Sequence, residues 1–319
     1  MADTSYKWYE DLISSQVRER NKVRGAYLDE TMTTGDADQA AGVIRFPVIS
    51  GSIEVVKVSG AIQNVQTSQA TMDTVPITTD EYEAATYIKA RDLRKQGPKE
   101  QMKVSKEVNK SINKKKDFLK LDALNAFANL GSTHLSLGPL SVETYGDGTA
   151  VIDPVHFRAM ASRIYGTGAE EGLYWPIPEV WMDQLEMYKE WANADYRGDK
   201  DLPFARMDNV RKITKRGVHI FTLPDEYFKY GTGGYGSNAT DHIPFTDTGY
   251  LDTFMWSKEA MGAQMDWFMG NVDVTKVKTL QGSPYLLKAG LDGAAIGVLP
   301  EQVKRIRMKA INEAVRPSV

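Results

Sequence analysis

Residues 98–130 carry the pattern that most limits what this chain can become. Pro98 suits the first position of a helix, because a helix start leaves that N–H unbonded anyway, and Glu100 in the first turn favours the positive end of the helix dipole. Helix formers continue to Leu130, and Gly131 is a natural stop. About 33 residues at 1.5 Å each predict a helix of roughly 50 Å, several times the usual length. Its apolar residues form a narrow stripe: Val104, Val108, Ile112, Leu119, Ala123, Ala126 and Leu130. The first half has only that stripe, set among lysines, whereas the second half adds Phe118, Leu121, Leu124 and Phe127. The second half is therefore expected to sit in a core, and the first half to lie across a surface.

Charge sharpens this asymmetry. The chain as a whole carries a formal charge of −3. From position 89 to 120 the bases are Lys89, Arg91, Arg94, Lys95, Lys99, Lys103, Lys106, Lys110, Lys114, Lys115, Lys116 and Lys120. These twelve meet only four acids, Asp92, Glu100, Glu107 and Asp117, so the segment stands at +8 and the remainder of the chain at −11. A solvated lysine face is the ordinary reading of such a run, yet so much like charge repels itself until a counter-charge arrives. No aromatic residue lies between Tyr87 and Phe118, which argues against base stacking and against sequence reading. Lys99, Lys103, Lys106, Lys110, Lys114, Lys115 and Lys116 form the candidate functional face. Two partners stay open for it: nucleic-acid phosphates, met weakly and with strong salt dependence, or acidic surfaces of neighbouring copies.

The rest of the chain is organised around that helix. Residues 1 to about 42 are polar and poorly periodic, with a weak helical stretch from Tyr6 to Arg24 and turn composition from Thr31 to Asp38, which predicts an extended arm needing a partner surface to become ordered. From Val43 to Ile77 the signal is β, with Ile53–Val58 and Ala61–Gln66 broken by Ser59-Gly60 and Thr67-Ser68-Gln69. A ribbon with so few large apolar residues is not stable alone and must lie against something else. Residues 132–150 are turn-rich. A capped helix then begins at Asp153-Pro154 and runs to about Tyr165, a strand covers Leu173–Ile177, and Pro178 opens a helix through Trp181, Leu185, Tyr188 and Trp191. Val210–Ile213 and Val218–Leu223 read as a strand pair, Gly231–Asn238 as a mobile glycine-rich loop, and Val272–Leu280, Tyr285–Leu291, Ala294–Leu299 and Val303–Met308 as late strands. A length of 319 residues, 42% of them hydrophobic, allows about two domains and a real core.

Enzyme chemistry finds little footing. The absence of cysteine removes disulfides, thiolate zinc sites, iron–sulfur clusters and cysteine nucleophiles together. The four histidines, His134, His156, His219 and His242, are too far apart in sequence to make the i, i+4 pair of a helical zinc site. The loop Gly231-Thr232-Gly233-Gly234-Tyr235-Gly236 lacks the Lys-Ser/Thr of a phosphate loop, and no Gly-x-Ser-x-Gly elbow occurs. Acid groups such as Asp80-Glu81-Glu83, Glu170-Glu171 and Asp225-Glu226 fit turns and helix starts. No catalytic, metal-binding or cofactor-binding residue is therefore assigned, and no cofactor is expected. No run approaches the ~18 apolar residues of a membrane span, and no signal peptide is visible, so no membrane partner is expected either.

Several local patterns stand in a distinctive order. Val75-Pro76-Ile77 followed by Tyr82 to Asp92 leads into the long helix, and Phe118-Leu119-Lys120-Leu121-Asp122-Ala123-Leu124 lies near its end. Asn209-Val210-Arg211-Lys212-Ile213, Gly217-Val218-His219-Ile220 and Leu223-Pro224 follow, then Trp256-Ser257-Lys258-Glu259-Ala260-Met261-Gly262, then Gly293-Ala294-Ala295-Ile296 with Pro300-Glu301-Gln302-Val303. This order, over nearly the whole chain, resembles the major capsid proteins of tailed bacteriophages. The resemblance implies an α+β tailed-phage major capsid fold with an N-terminal arm at 1–47 and an extended β-hairpin loop at 48–80. It implies a peripheral domain at 81–150 and 275–319, with the spine helix at about 98–130, and an axial domain at 151–274. It further implies a structural subunit, not an enzyme, whose hexamers and pentamers build an icosahedral head around double-stranded DNA in the host bacterial cytoplasm. The implied partners are other copies of the chain, a portal, non-specific packaged DNA, and room for a decoration protein. Because only about 42 residues precede the ribbon, a separate scaffolding protein is expected; Lys57, the ribbon's only lysine, gives no basis for a covalent crosslink. Two rivals are an encapsulin-type nanocompartment shell, which shares the fold, and a soluble metabolic enzyme with a site gathered from scattered acids and aromatics.

Overall fold

A computed structural model of the chain describes residues 25–38, 43–49, 53, 55, 70–88, 98–131, 141–170, 172–188, 191, 212–228, 230–231, 234–235, 249–267, 273–281 and 283–316. In chain order the described elements are β1 (Asp36–Asp38), β2 (Val43–Ile49), β3 (Met72–Thr78), β4 (Asp80–Ile88), α1 (Pro98–Leu130) and β5 (Glu143–Tyr145). They continue with α2 (Pro154–Tyr165), β6 (Leu173–Ile177), α3 (Glu179–Glu186), β7 (Lys212–Lys215), β8 (Val218–Thr222), β9 (Tyr230–Gly231) and β10 (Gly234–Tyr235). The last are β11 (Tyr250–Ser257), β12 (Met261–Trp267), β13 (Asp273–Lys276), β14 (Tyr285–Gly297) and β15 (Val303–Lys309). The chain divides into two compact units, 1–29, 79–119 and 264–294 forming the first, and 30–78, 120–263 and 295–319 the second.

The first unit is one helix segment on one sheet. β14 is central: β4 pairs antiparallel with Tyr285–Gly293, β13 pairs antiparallel with Tyr285–Lys288, and β12 adjoins it as well. Val108, Ile112 and Leu119 of α1 pack on Ala289 and Leu291 of β14, Tyr82 and Ala84 of β4, and Met265. That is the expected surface-crossing stripe, and it has found its surface. The expected break between Leu291 and Ala294 is absent, for β14 runs through it without interruption. Gly293 is there for closeness and not for a turn: a Cβ on it would come within 2.7 Å of the Met265 sulfur.

The second unit is built on a six-stranded sheet in the order β5-β15-β11-β6-β8-β7. β11 and β15 pair antiparallel from Tyr250↔Lys309 to Trp256↔Val303, whereas β6 runs parallel to β8. Aromatic residues fill its core: Trp175, Trp181, Trp256, Phe157, Phe221, Phe254 and Tyr227 are fully buried. Trp175 stacks on Phe157 at 5.6 Å, and its indole N–H is satisfied by Thr253 Oγ1 at 3.1 Å. α2 begins as its cap signals require, with Asp153 Oδ1 accepting from His156 N and Pro154 in the first turn. α3 stops at Glu186, short of the expected Tyr188 and Trp191: Met187 N is shared between Asp183 O and Gln184 O, and Tyr188 N turns to Leu185 O three residues back, which tightens the last turn. Of the expected glycine-rich loop, only β9 and β10 are described, and they pair antiparallel; the remainder lies outside the described residues.

The ribbon also belongs to the second unit. β2 and β3 pair from Val43↔Thr78 to Ile49↔Met72, and β1 adds a short third strand on β2. Ile44, Phe46, Val75, Val48 and Ile77 line one face of it and pack on Ile296, Val298 and Leu299. The support that the ribbon needs is therefore supplied, at its root, by this chain's own closing segment. Glycines let the Phe46 ring in: a Cβ on Gly262 would meet it at 2.3 Å. Apart from Ile53 and Val55, the stretch 50–69 lies outside the described residues, as do residues 1–24 and 39–42 of the expected arm. Residues 25–38 correct the arm's expected dependence on a partner, since they are held by this chain itself. Thr33 exchanges backbone hydrogen bonds with Met261 and Ala263, both at 2.9 Å, and Trp256 Nε1 donates to Thr31 O at 3.0 Å.

Candidate functional site

Helix α1 divides the predicted basic face. Lys99 and Lys103 belong to the helix, with side chains outside the described residues. Lys106 is exposed, Lys110 reaches Glu107 at 4.0 Å, and Lys114 lies over the Phe118 ring at 5.3 Å. Steps of three or four residues keep these positions on one side of the helix. Lys115 does not share that side: its ammonium sits 4.5 Å from the centre of the Tyr82 ring of β4. Lys116 is buried, as is Lys120. Five of the seven predicted positions thus keep one stripe, and two leave it.

Asp117, a residue the sequence reading passed over, occupies the same side as the stripe. Its carboxylate is fully buried and accepts from two consecutive amides, Tyr27 N at 3.0 Å on Oδ2 and Leu28 N at 3.1 Å on Oδ1. Leu28 is fully buried too. Gly25 approaches so closely that a Cβ on it would lie 2.4 Å from Lys114 N, and its φ of +77° favours glycine. The signal available in sequence was a lone acid within the run Lys114–Lys120, on a helix face otherwise set with lysine.

A second feature lies on the ribbon. Ile49, Ile53, Val55 and Met72 are each two-thirds or more exposed, and Ile49 and Met72 are register partners. Ile49 also joins Phe46, Pro47, Val48, Val298 and Leu299 in lining an open cleft of about 490 Å³, with Thr33, Thr34, Gly35 and Glu259 among its other lining residues.

Several charged groups elsewhere are tied into structure. Arg307 grips Asp252 through two hydrogen bonds of 2.8 Å across β11 and β15. Glu143 bonds Lys304 and Arg163, and the Lys304 hydrogen bond chiefly holds its carboxyl below the usual glutamate value. The His219 imidazole is half-buried beside Thr214, and desolvation lowers its pKa. Among the described residues, no group of three or more His, Asp or Glu side chains could hold a metal ion, and no helix is long and apolar enough to cross a membrane.

A family model described as phage capsid protein matches residues 7–309. Among solved structures, the capsid of the cyanophage P-SCSP1u superposes with a TM-score of 0.64 at 14% identity, covering 92% of this chain and 90% of that one. The capsid of Ralstonia phage GP4 gives 0.59 at 8% identity, covering 92% and 96%. The mature capsid of bacteriophage PhiM1 gives 0.58 at 12% identity, covering 92% and 90%. No curated protein matches the sequence. Identities this low speak to fold, and the fold they give is the α+β arrangement of capsid subunits that the order of sequence patterns implied.

Proposed function

The chain belongs to the phage capsid protein family, and from that premise we propose that it is the major capsid protein of a tailed phage, its hexamers and pentamers closing into an icosahedral head around double-stranded DNA. In this reading the ribbon at 48–80 is an extended loop laid on a neighbour, 151–274 is the axial domain, and 81–150 with 275–319 is the peripheral domain. Assembly takes place in the host bacterial cytoplasm with a separate scaffolding protein and a portal. The enclosed DNA is met through phosphates only, because the basic face carries no aromatic platform.

The observation that carries this reading is the division of the ribbon. Its root has a core partner in Ile296, Val298 and Leu299, while Ile49, Ile53, Val55 and Met72 have none that would remove them from water. Exposed apolar area costs about 25 cal/mol per Å², and a neighbouring subunit recovers that cost in every copy of a shell. Function is then the sum of modest contacts repeated by symmetry. Negative-stain electron microscopy of the protein, purified alone and after production together with a scaffolding protein, tests it: rings or closed shells are expected, and uniformly small dispersed particles in both preparations at all concentrations would refute it.

A further inference from the structure

The first unit presents opposite charges on its two outer sides. α1 covers one face of the sheet through Val108, Ile112 and Leu119. Lys106 and Lys110 precede Val108 and Ile112 by two residues, which places them about 200° around the helix and away from the sheet. On β4, Tyr82 and Ala84 face the helix, so the alternation sends Glu81 and Glu83 to the opposite side, where both are exposed. Asp292 is the register partner of Glu81 and so shares that side. Its Oδ1 is shielded from water and has no hydrogen-bond partner. One base, Lys288, stands among these acids, 4.0 Å from Glu83.

The two charge patterns match in spacing. Lys106 and Lys110 are four helical residues apart, a rise of about 6 Å. Glu81 and Glu83 are two strand residues apart, about 6.7 Å. Lysine side chains absorb that difference easily. Charge favours the same pairing, since everything outside the basic segment sums to −11. We propose that the lysine stripe of one copy docks on the acidic sheet face of a second copy, with Lys106 and Lys110 set against Glu81 and Glu83. This deepens the capsid reading and rests on it. Because the two patches differ, the contact is head-to-tail, the kind that generates rings and extended lattices instead of closed pairs. Each ion pair is weak and screened by salt, so the contact biases orientation, while apolar surfaces supply most of the affinity.

Charge reversal on the full chain tests this. Lys106→Glu with Lys110→Glu, and separately Glu81→Lys with Glu83→Lys, should each lower the assembled fraction in sedimentation by about tenfold at fixed protein concentration. The chain carrying all four substitutions should return to within about threefold of the parent. Circular dichroism and thermal melting report whether each variant folds. If a reversed chain does not fold, the glutamine versions at the same four positions are read as a double-mutant cycle, in which non-additive losses support the contact. Reversed chains that assemble like the parent overturn the proposal, as do a four-substitution chain without recovery or purely additive losses in the cycle. Normal shells that lack DNA in the lysine variants also overturn it, in favour of phosphate contact. A parent chain that never assembles at any ionic strength, alone or with a scaffolding protein present, refutes the capsid reading itself.

Discussion

Replacing Asp117 by asparagine changes one atom of the side chain and should loosen the segment around Tyr27 and Leu28. The carboxylate now receives two amide hydrogens, from Tyr27 at 3.0 Å and Leu28 at 3.1 Å, at a site closed to water. Hydrogen bonds to an ionised acceptor contribute about 1.5–3 kcal/mol each, roughly twice a neutral bond. An amide can accept only one of the two. Its NH₂ then faces the other backbone N–H, leaving a buried donor without a partner, while the surviving bond loses its charge assistance. The combined cost is about 3 kcal/mol, or on the order of 100-fold in the local opening equilibrium. Hydrogen exchange read by mass spectrometry on a peptide covering 25–33 should show that loss of protection in Asp117→Asn. A peptide from β11, where Phe254, Met255 and Trp256 are buried, should be much less affected, which separates local release from global unfolding. Unchanged protection at Tyr27 and Leu28 in a folded variant would refute the claim that Asp117 holds this segment.

Two further outcomes follow from the second unit. His219 is neutral in both folded and unfolded chains well above pH 6.5; as pH falls below that value the unfolded chain takes up a proton first, because burial lowers the folded pKa. The urea midpoint should therefore fall between pH 7 and about pH 5, and fall less in His219→Gln; equal slopes in the two proteins would contradict this assignment. Gly297→Ala would set a Cβ 2.1 Å from Cγ of the buried Phe127 ring, an overpacking that costs about 1–3 kcal/mol. Adding Phe127→Leu should recover part of that loss, and strictly additive costs in urea denaturation would show that the ring is not the obstacle.

The elements that sequence placed well are those whose signals are local. α1 spans Pro98–Leu130 as predicted because a first-turn proline, an unbroken run of helix formers and Gly131 all act within a few residues. Gly131 adopts a φ of +70°, which glycine accepts without strain. What covers a helix is a different matter. The predicted stripe was drawn on to Ala126 and Leu130, yet Leu130 is 78% exposed, and the buried side after position 116 is that of Asp117, Leu121 and Leu124. Helical period says which residues share a face, but Asp117 is buried by residues about ninety positions away, and no window on the sequence contains both. Gly293 failed for a related reason. A glycine inside a strand-like run signals either a turn or a close approach, and only the position of Met265 decides between them. The candidate site shows the same division. Its charge was plain in sequence, whereas the departure of Lys115 to Tyr82 and the burial of Lys116 depend on what lies beside the helix.

The clamp at Asp117 and the lysine stripe have a consequence for each other, because they share one side of α1. Gly25 lies against the backbone of Asn113 and Lys114, so the chain's own N-terminal segment closes the stripe at that end. A partner docking on Lys106 and Lys110 therefore cannot slide past Lys114. Ion pairs alone set register poorly, since a copy displaced by one helical turn finds another lysine four residues on. A steric stop removes half of those alternatives. Asp117→Asn should then have a second effect that its local energetics do not contain: with residues 25–28 released, head-to-tail docking loses its boundary. Shells formed by that variant should be more heterogeneous in size than those of the parent, while single subunits keep the same β11 protection. Uniform shells from a variant whose 25–33 segment demonstrably exchanges freely would show that the stop plays no part in register.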